Sequence, residues 1–356
     1  MNMNLSKYIN KTILFGAVLT LSNVSFAGNE DRAGSAGASE LLINPWARSS
    51  AWADAGVSSV TGLESMFINV AGLSYADKTE IMFTNTNWLG KLADISINNF
   101  GLAQRVGETS VIGISFMSMN FGEIPITTTE LPEGGIGNFN PRYSNINLAY
   151  SKQFSSSISG GLNVKLISES ISNVKASGVA FDAGIRYVTG ENDNIKFAIS
   201  LKNVGGPMSF KGDGLNLDIL NTSTDNTIAM TQRVTEFELP SLLSIGASYD
   251  FLFNENNTLT IAAAFTSNSF TKDQFRLGGN YKLSTEKAIA TLSAGYVFEK
   301  AIFDKELRTS ALTGLTAGLS VDFPLGESKS PIGIDYAFRS SVFGGVHTIG
   351  ARINLK

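Results

Sequence analysis

The sequence has 356 residues, of which 16% are charged and 43% are hydrophobic, and its formal net charge is −4. An ordinary soluble domain is about 25% charged, and an acidic chain without a basic excess argues against nucleic acid as a partner. The chain has no cysteine and one histidine, His347, which excludes a His/Cys metal cluster and a histidine-based triad. We therefore predict that the protein is not an enzyme and uses no metal or cofactor.

The first 27 residues have the three parts of a secretory signal peptide. Lys7 and Lys11 give a positively charged start, residues 12–21 are apolar, and residues 25–27 (SFA) place small residues at the two positions that a signal peptidase reads. The apolar run is well short of the ~20 residues that a membrane-spanning helix needs. The sequence therefore predicts export, with cleavage after Ala27.

The stretch from residue 44 to residue 75 follows neither a helical nor an alternating pattern. It is rich in Ala, Gly and Ser, and Pro45 interrupts it near its start. Small residues let backbone segments approach closely and allow turns that a Cβ atom would forbid. We therefore assign residues 28–78 to an N-terminal lead and a compact, irregular hatch.

From residue 79 to residue 356 the sequence predicts strands, because apolar and polar residues alternate with period 2. The predicted strands are residues 80–88, 94–105, 109–120, 143–154, 157–168, 178–188, 194–204, 237–251, 257–267, 272–283, 287–298, 311–323, 331–340 and 346–355. Their number is even, as bacterial single-chain barrels require, and their apolar residues are spread one in two. Unpaired strand edges cost several kcal/mol per backbone group inside a bilayer, so the strands must close. The predicted fold is all-β: a transmembrane antiparallel β-barrel of about 14 strands whose lumen holds the hatch.

The predicted connections sort by length. Those at even positions are short, including residues 106–108 and 324–330, whereas the long ones (residues 121–142, 205–236 and 299–310) all fall at odd positions. Transmembrane barrels carry short turns on the periplasmic side and longer loops outside. The three long connections are therefore predicted to be outer loops.

Several blocks of the sequence resemble the PorV/PorQ family of outer-membrane barrels, which are related to FadL-type transporters. Residues 62–73 (GLESMFINVAGL) resemble the hatch block of that family, G-x-E-x-x-x-x-N-P-A-G-L, with Val70 where many relatives have proline. Further similar blocks are residues 98–103 (NNFGLA), 131–137 (LPEGGIG), 180–184 (AFDAG), 239–242 (LPSL) and 347–354 (HTIGARIN). The resemblance covers most of the chain beyond the signal peptide.

The resemblance implies a FadL-like barrel in the cell outer membrane and a component of the type IX secretion system. Such a component would bind cargo proteins with a C-terminal sorting domain at the translocon and pass them to the surface attachment complex. Its partners would be the translocon barrel, the attachment-complex proteins, the cargo, and the lipid and lipopolysaccharide of the membrane. Two alternatives stay open: a FadL-type channel for small hydrophobic molecules, and a PorQ-like or more specialised paralogue.

Two groups of residues are candidates for function. In the hatch they are Asn44, Pro45, Trp46, Arg48, Gly62, Glu64, Asn69 and Gly72. In the outer loops the apolar residues that could dock partners are Ile124, Ile126, Leu131, Met208, Phe210, Leu215 and Leu217. We also expect Arg48, Asp54 and Glu64 to form ion pairs with the inner wall, and Asp182 to pair in the lumen with Arg186, Lys165 or Lys202.

Overall fold

A computed structural model describes residues 28–90, 93–221, 226–325 and 330–355, in which fourteen antiparallel strands form one closed barrel. The barrel strands are β1 (Thr79–Trp88), β2 (Ile95–Val106), β3 (Ser110–Asn120), β6 (Arg142–Gln153), β7 (Ile158–Ile171), β8 (Val174–Thr189), β9 (Ile195–Gly205), β12 (Leu242–Asn254), β13 (Asn257–Asn268), β14 (Gln274–Ser284), β15 (Ile289–Glu299), β16 (Leu312–Leu325), β17 (Ser330–Ser341) and β18 (Gly344–Leu355). Each strand pairs with the next along the chain, and β18 returns to pair with β1. The predicted number of strands and their closure are confirmed.

The largest shift in a strand boundary is at β12, which begins at Leu242 instead of residue 237. Phe237 is bridged to Met208 in the preceding loop, and the carbonyl of Pro240 accepts a hydrogen bond from Asn203 Nδ2. Proline has no N–H to give to a ladder. The residues before Leu242 therefore pack across the end of the barrel and do not extend its wall.

Side chains alternate between the two faces of the wall. On β18, Ile349 and Ile353 are exposed on the outer face, whereas Thr348 and Arg352 are buried on the lumen face. An apolar outer face with a polar lumen is the pattern of a membrane barrel.

The helices are short and lie before the barrel or in a loop. They are Ala47–Ser50 and Ser65–Ile68 (α-helices) and Glu30–Arg32, Ser39–Leu42, Val70–Tyr75 and Asp213–Leu215 (3-10 helices). Among the described residues, none of these helices is long and apolar enough to cross a membrane. The predicted signal peptide, residues 1–27, lies outside the described residues.

Three long connections lie at one end of the barrel, as predicted. Residues 121–141 contain the hairpin β4 (Ile124–Pro125) and β5 (Asn138–Phe139), and residues 206–241 contain the hairpin β10 (Asn216–Asn221) and β11 (Asn226–Thr231). The third, residues 300–311, has no strand. The predicted turn at residues 324–330 lies mostly outside the described part of the chain. By the rule for membrane barrels, the end with the long connections is the outer one.

Candidate functional site: the N-terminal segment and the outer loops

Residues 38–76, called the N-terminal segment below, pack against the inner face of the wall. Trp46, Leu63 and Leu73 are almost fully buried, and the segment shares apolar clusters with residues of β1, β2, β3 and β6. The 3-10 helix Val70–Tyr75 contacts β3, β6, β7 and β8, while the helix Ala47–Ser50 contacts β16, β17 and β18. The segment thus touches both halves of the barrel.

Glycines of the wall make this close packing possible. A Cβ atom on Gly113 would lie 2.6 Å from the sulfur of Met66, and one on Gly184 would lie 1.9 Å from Asn69 Oδ1. Both glycines are in strands, where a larger residue would normally pack better. The wall is therefore shaped for the segment at these two points.

The predicted hatch residues lie together and hold the segment in shape. Asn44 Nδ2 donates to Asp54 Oδ1 (2.6 Å), and the carbonyl of Pro45 accepts from Thr84 Oγ1 of β1 (2.8 Å). Asn69 Nδ2 donates to the carbonyls of Val57 (3.1 Å) and Ile185 (3.3 Å).

Asn69 also caps the 3-10 helix Val70–Tyr75, because its Oδ1 accepts from the Ala71 N–H (3.1 Å). Gly62 has a φ of +76° and donates its N–H to the carbonyl of Gly72 (3.1 Å). A left-handed backbone of this kind favours glycine. These contacts join the two ends of residues 62–73 and hold this stretch in a compact fold.

The expected ion pairs with the wall are only partly as predicted. Asp54 does pair with the wall, through Arg276 of β14 (3.2 Å). Arg48 and Glu64, however, pair with each other (Nε to Oε1, 2.6 Å), and Glu64 also accepts from the Ser49 N–H. Glu64 is 1% exposed, and a buried carboxylate needs the nearest cation. The predicted contact with the wall was therefore wrong for Glu64, whereas Arg48 also interacts electrostatically with Asp335 and Asp322 of the wall.

The predicted lumen pair of Asp182 is formed with Lys165, whose Nζ lies 2.7 Å from Asp182 Oδ2. The two other candidate cations contact aromatic rings of the N-terminal segment: Arg186 lies over Tyr75 (4.4 Å to the ring centre) and Lys202 over Phe67 (3.6 Å). Cation–π contacts gain strength where water is excluded.

Sequence reasoning missed these cation–π contacts, and it also missed Glu80 of β1. The Glu80 carboxylate accepts from the N–H groups of Leu63 (2.7 Å) and Asp77 (2.9 Å). The available signal was a charged residue at a lumen-facing strand position, which requires a partner inside the barrel.

A buried carboxyl group marks the contact between the N-terminal segment and β7. Glu40 is 1% exposed and faces Glu169 of β7. Burial, together with the charge of Glu169, raises the pKa of Glu40 to about 8. Glu40 and Asn145 also line a cavity of about 30 Å³, which has room for about two water molecules.

A larger cavity of about 490 Å³ lies at the outer end, between the N-terminal segment and the wall. Its lining is mixed: Ile43, Trp88 and Met119 are apolar, while Arg276 and Glu299 are charged. The cavity could hold a small amphipathic molecule.

The outer loops expose most of the apolar residues that the sequence singled out. Ile124, Ile126, Leu131 and Leu217 are exposed, and Leu215 is half-buried. Met208 is 1% exposed and packs with Leu41 and Ile167 in a buried cluster against which Phe210 also packs. Met208 was therefore wrongly predicted to be an exposed docking residue: its backbone pairs with Phe237, which draws its side chain under the loop.

The hairpin β10–β11 has an apolar face. Leu217 lies opposite Met230 and Ile219 opposite Ile228, so the four side chains share one side, and each is 46–53% exposed. The sequence pattern did not single out Met230, Ile219 and Ile228, because so short an alternation is also typical of a loop.

Comparisons with known proteins agree with this architecture. No curated protein sequence matches the chain. Among solved structures, the Pseudomonas putida toluene transporter TodX is 12% identical with a TM-score of 0.54, over 87% of this chain and 97% of that one. A Pseudomonas aeruginosa FadL homologue is 12% identical with a TM-score of 0.53, over 88% and 98% of the two chains. The CymD monoaromatic hydrocarbon channel is 12% identical with a TM-score of 0.51, over 87% and 96%.

At such identities the likeness concerns the fold alone, and the fold is that of FadL-type outer-membrane barrels. The family is shown by sequence: the model of the type IX secretion system protein PorV matches residues 26–271. That match includes the N-terminal segment, both outer hairpins and the first nine strands of the barrel. The chain, an outer-membrane β-barrel, therefore belongs to the PorV family of type IX secretion system proteins.

Proposed function

We propose that this protein binds secreted cargo through the C-terminal sorting domain at the translocon and passes it to the surface attachment complex. Membership of the PorV family supports a role in type IX secretion. The binding surface in this proposal is formed by the outer loops, and the lumen takes no part in it. The N-terminal segment would act as a hatch that keeps the barrel closed.

The apolar face of the hairpin β10–β11 is the observation that carries this proposal. Leu217, Ile219, Ile228 and Met230 stand about half exposed on a loop at the outer end. A contiguous apolar patch of this kind on a protein surface marks an interaction site. In the described part of the loop the hairpin has two strands, so its edges are also available to add a strand from a partner.

The filled lumen supports the same reading. The N-terminal segment contacts wall strands on both sides of the barrel and buries Trp46, Leu63 and Leu73. A folded cargo domain would have to displace all of these contacts to pass through. A receptor that holds cargo at its outer surface needs no such displacement.

The experiment is a charge substitution on the apolar face, Ile219→Asp with Ile228→Asp. We expect cells with this variant to lose surface display of a reporter fused to a sorting domain, because paired carboxylates on the face oppose apolar docking. Asp218→Asn, on the other face of the same strand, is the matched control. Display that stays at the wild-type level, with the barrel correctly inserted, would contradict the proposal.

The second candidate, a channel for small hydrophobic molecules, is favoured by the cavity of about 490 Å³. Among the solved structures of similar fold, one is named a toluene transporter and another a monoaromatic hydrocarbon channel. Deletion of the gene separates the two candidates. Normal cargo export together with lost uptake of a hydrophobic nutrient would favour the channel, whereas unexported or unanchored cargo would favour the secretion role.

A further inference from the structure

At the outer end of the barrel, the backbone nitrogen of Gly28 meets a buried carboxylate. Gly28 N donates to Asp273 Oδ2 over 2.8 Å, and the other oxygen, Oδ1, accepts from the N–H of Asn268 (3.2 Å). Asp273 is 4% exposed and belongs to the connection between β13 and β14, residues 269–273. Connections alternate between the two ends of an antiparallel barrel, so this one lies at the same end as the three long connections.

The space around Gly28 admits no side chain. A Cβ atom there would lie 2.7 Å from Asp273 Oδ1, 2.8 Å from the carbonyl oxygen of Thr271 and 2.9 Å from the backbone nitrogen of Asp273. Two of these three atoms belong to the backbone, which cannot rotate aside as a flexible side chain can. The β13–β14 connection therefore encloses a residue that has no side chain and holds its nitrogen on the carboxylate.

Residues 28–37, called the lead below, are also attached further along. Arg32 Cζ lies 4.2 Å from the ring centre of Phe270 in the β13–β14 connection. Arg32 Nη2 lies 2.6 Å from Glu238 Oε1 in the long loop before β12. These contacts direct the start of the lead towards the β13–β14 connection, so the position of Gly28 does not depend on its own hydrogen bond alone.

The sequence predicts that the chain is cut directly before this residue. Residues 1–27 have the pattern of a secretory signal peptide, with Ala27 as the last small residue. Cleavage after Ala27 gives Gly28 an α-ammonium group in place of a peptide N–H. The ammonium group brings a full positive charge to the carboxylate, which a peptide N–H lacks. Buried charges in proteins are paired, so the cleaved form fits this site better than the uncleaved one.

We propose that Asp273 is the binding site for the amino terminus that removal of the signal peptide creates at Gly28. Two independent observations coincide at this residue: the sequence pattern that places the cleavage site before Gly28, and an enclosure that fits only glycine and holds its nitrogen on a buried carboxylate. The ion pair forms only after cleavage has freed the amino terminus. Processing thus completes the attachment of the lead at the outer end, whether the protein binds cargo or conducts a small molecule.

The test measures the identity and the reactivity of the amino terminus in the full mature protein, purified in detergent. The intact mass should correspond to residues 28–356. After acylation of the folded protein, trypsin releases residues 28–32, which contain no lysine, so this peptide reports on the α-amine alone. Only the unprotonated amine reacts, and an adjacent opposite charge favours the protonated form about tenfold or more. We therefore expect acylation to be about tenfold slower in the folded protein than in the heat-unfolded protein.

Asp273→Asn keeps the size of the side chain and an acceptor oxygen but removes the charge. We expect its α-amine to react nearly as fast in the folded protein as in the unfolded one. The matched control is Asp304→Asn, the same substitution at the outer end, in a side chain that accepts from the N–H groups of Glu306 and Leu307 in its own loop. Its α-amine should stay as slow as that of the wild type. Gel mobility with and without heating checks that each barrel is folded.

A second variant, Gly28→Ala, tests the same site without a change of charge. The added Cβ atom would move the amine away from Asp273, so we again expect faster acylation of the folded protein, at an unchanged cleavage position. A mature terminus other than Gly28, a wild-type amine that reacts equally fast in the folded and unfolded states, or an amine that stays slow in both Asp273→Asn and Gly28→Ala would overturn the proposal.

Discussion

At the scale of single residues, the lumen is organised by buried charges that each need a partner from a distant part of the chain. Lys165 reaches Asp182, and Arg352 lies within 2.6 Å of Asp322 and 3.1 Å of Asp335. Breaking a buried pair leaves an uncompensated charge and typically costs about 3–5 kcal/mol. Glu40 differs from these pairs, because it faces another carboxyl group, Glu169.

Glu40 makes the stability of the protein depend on pH. The pKa of Glu40 is raised from 4.5 to about 8, first by burial and then by Glu169. The stability that comes from the protonated form is complete below pH 4.5 and is lost as the pH rises through about 8. Lys165 lines the same small cavity but is already paired with Asp182, and so it leaves Glu40 without a cation of its own.

We therefore expect the wild type to lose on the order of 3 kcal/mol of unfolding free energy between pH 5 and pH 8. Glu40→Gln, which does not titrate, should show a much flatter profile. Urea unfolding in detergent micelles at a series of pH values measures the difference. Parallel profiles for the two proteins would show that Glu40 does not carry the effect.

At the scale of elements, the N-terminal segment packs closely against the wall at positions where the wall has glycine and therefore no side chain. Gly184 of β8 lies against Asn69, which both caps the 3-10 helix Val70–Tyr75 and bonds the carbonyl of Ile185. Asn69 therefore has little freedom to move aside.

Gly184→Ala should loosen the segment. The added Cβ atom would lie 1.9 Å from Asn69 Oδ1, and we expect a loss of about 1–3 kcal/mol, as in overpacked cores. Hydrogen exchange of the amides of residues 62–76 measures the loosening, because these amides become exposed when the segment detaches. Gly279→Ala on β14 is the control, since a Cβ atom there meets nothing within 4 Å. Equal protection in the two variants would contradict the fit that we infer.

At the scale of the whole molecule, stability depends on closure of the barrel. The pairing of β18 with β1 runs from Thr79 with Leu355 to Asn87 with His347. Without it, two strand edges would face lipid with unpaired backbone groups. Because its outer face is apolar, the closed barrel is stable in a membrane or in detergent.

The whole-molecule prediction is that the mature chain partitions into membranes or detergent and migrates in gels as a compact form that unfolds on heating. Removal of residues 344–355 should abolish the compact form, because β1 and β17 would lose their shared neighbour. Gel mobility with and without heating measures this. Recovery of the full mature chain as a monomer in detergent-free buffer would contradict the membrane assignment.

The sequence by itself determined the number of strands, their closure and the alternation of apolar and polar residues along them. These follow from an alternation with period 2, which is local and repeats fourteen times, as in Ile349, Ala351 and Ile353 of β18. The fit of the N-terminal segment, by contrast, was only an expectation from its small residues.

Only the tertiary structure decided which partners meet. In the structure, Asp182 pairs with Lys165 and not with Arg186 or Lys202. Arg48 pairs with Glu64 inside the N-terminal segment, and Met208 is buried. Each of these outcomes depends on distances between residues far apart in the chain, which no local pattern encodes.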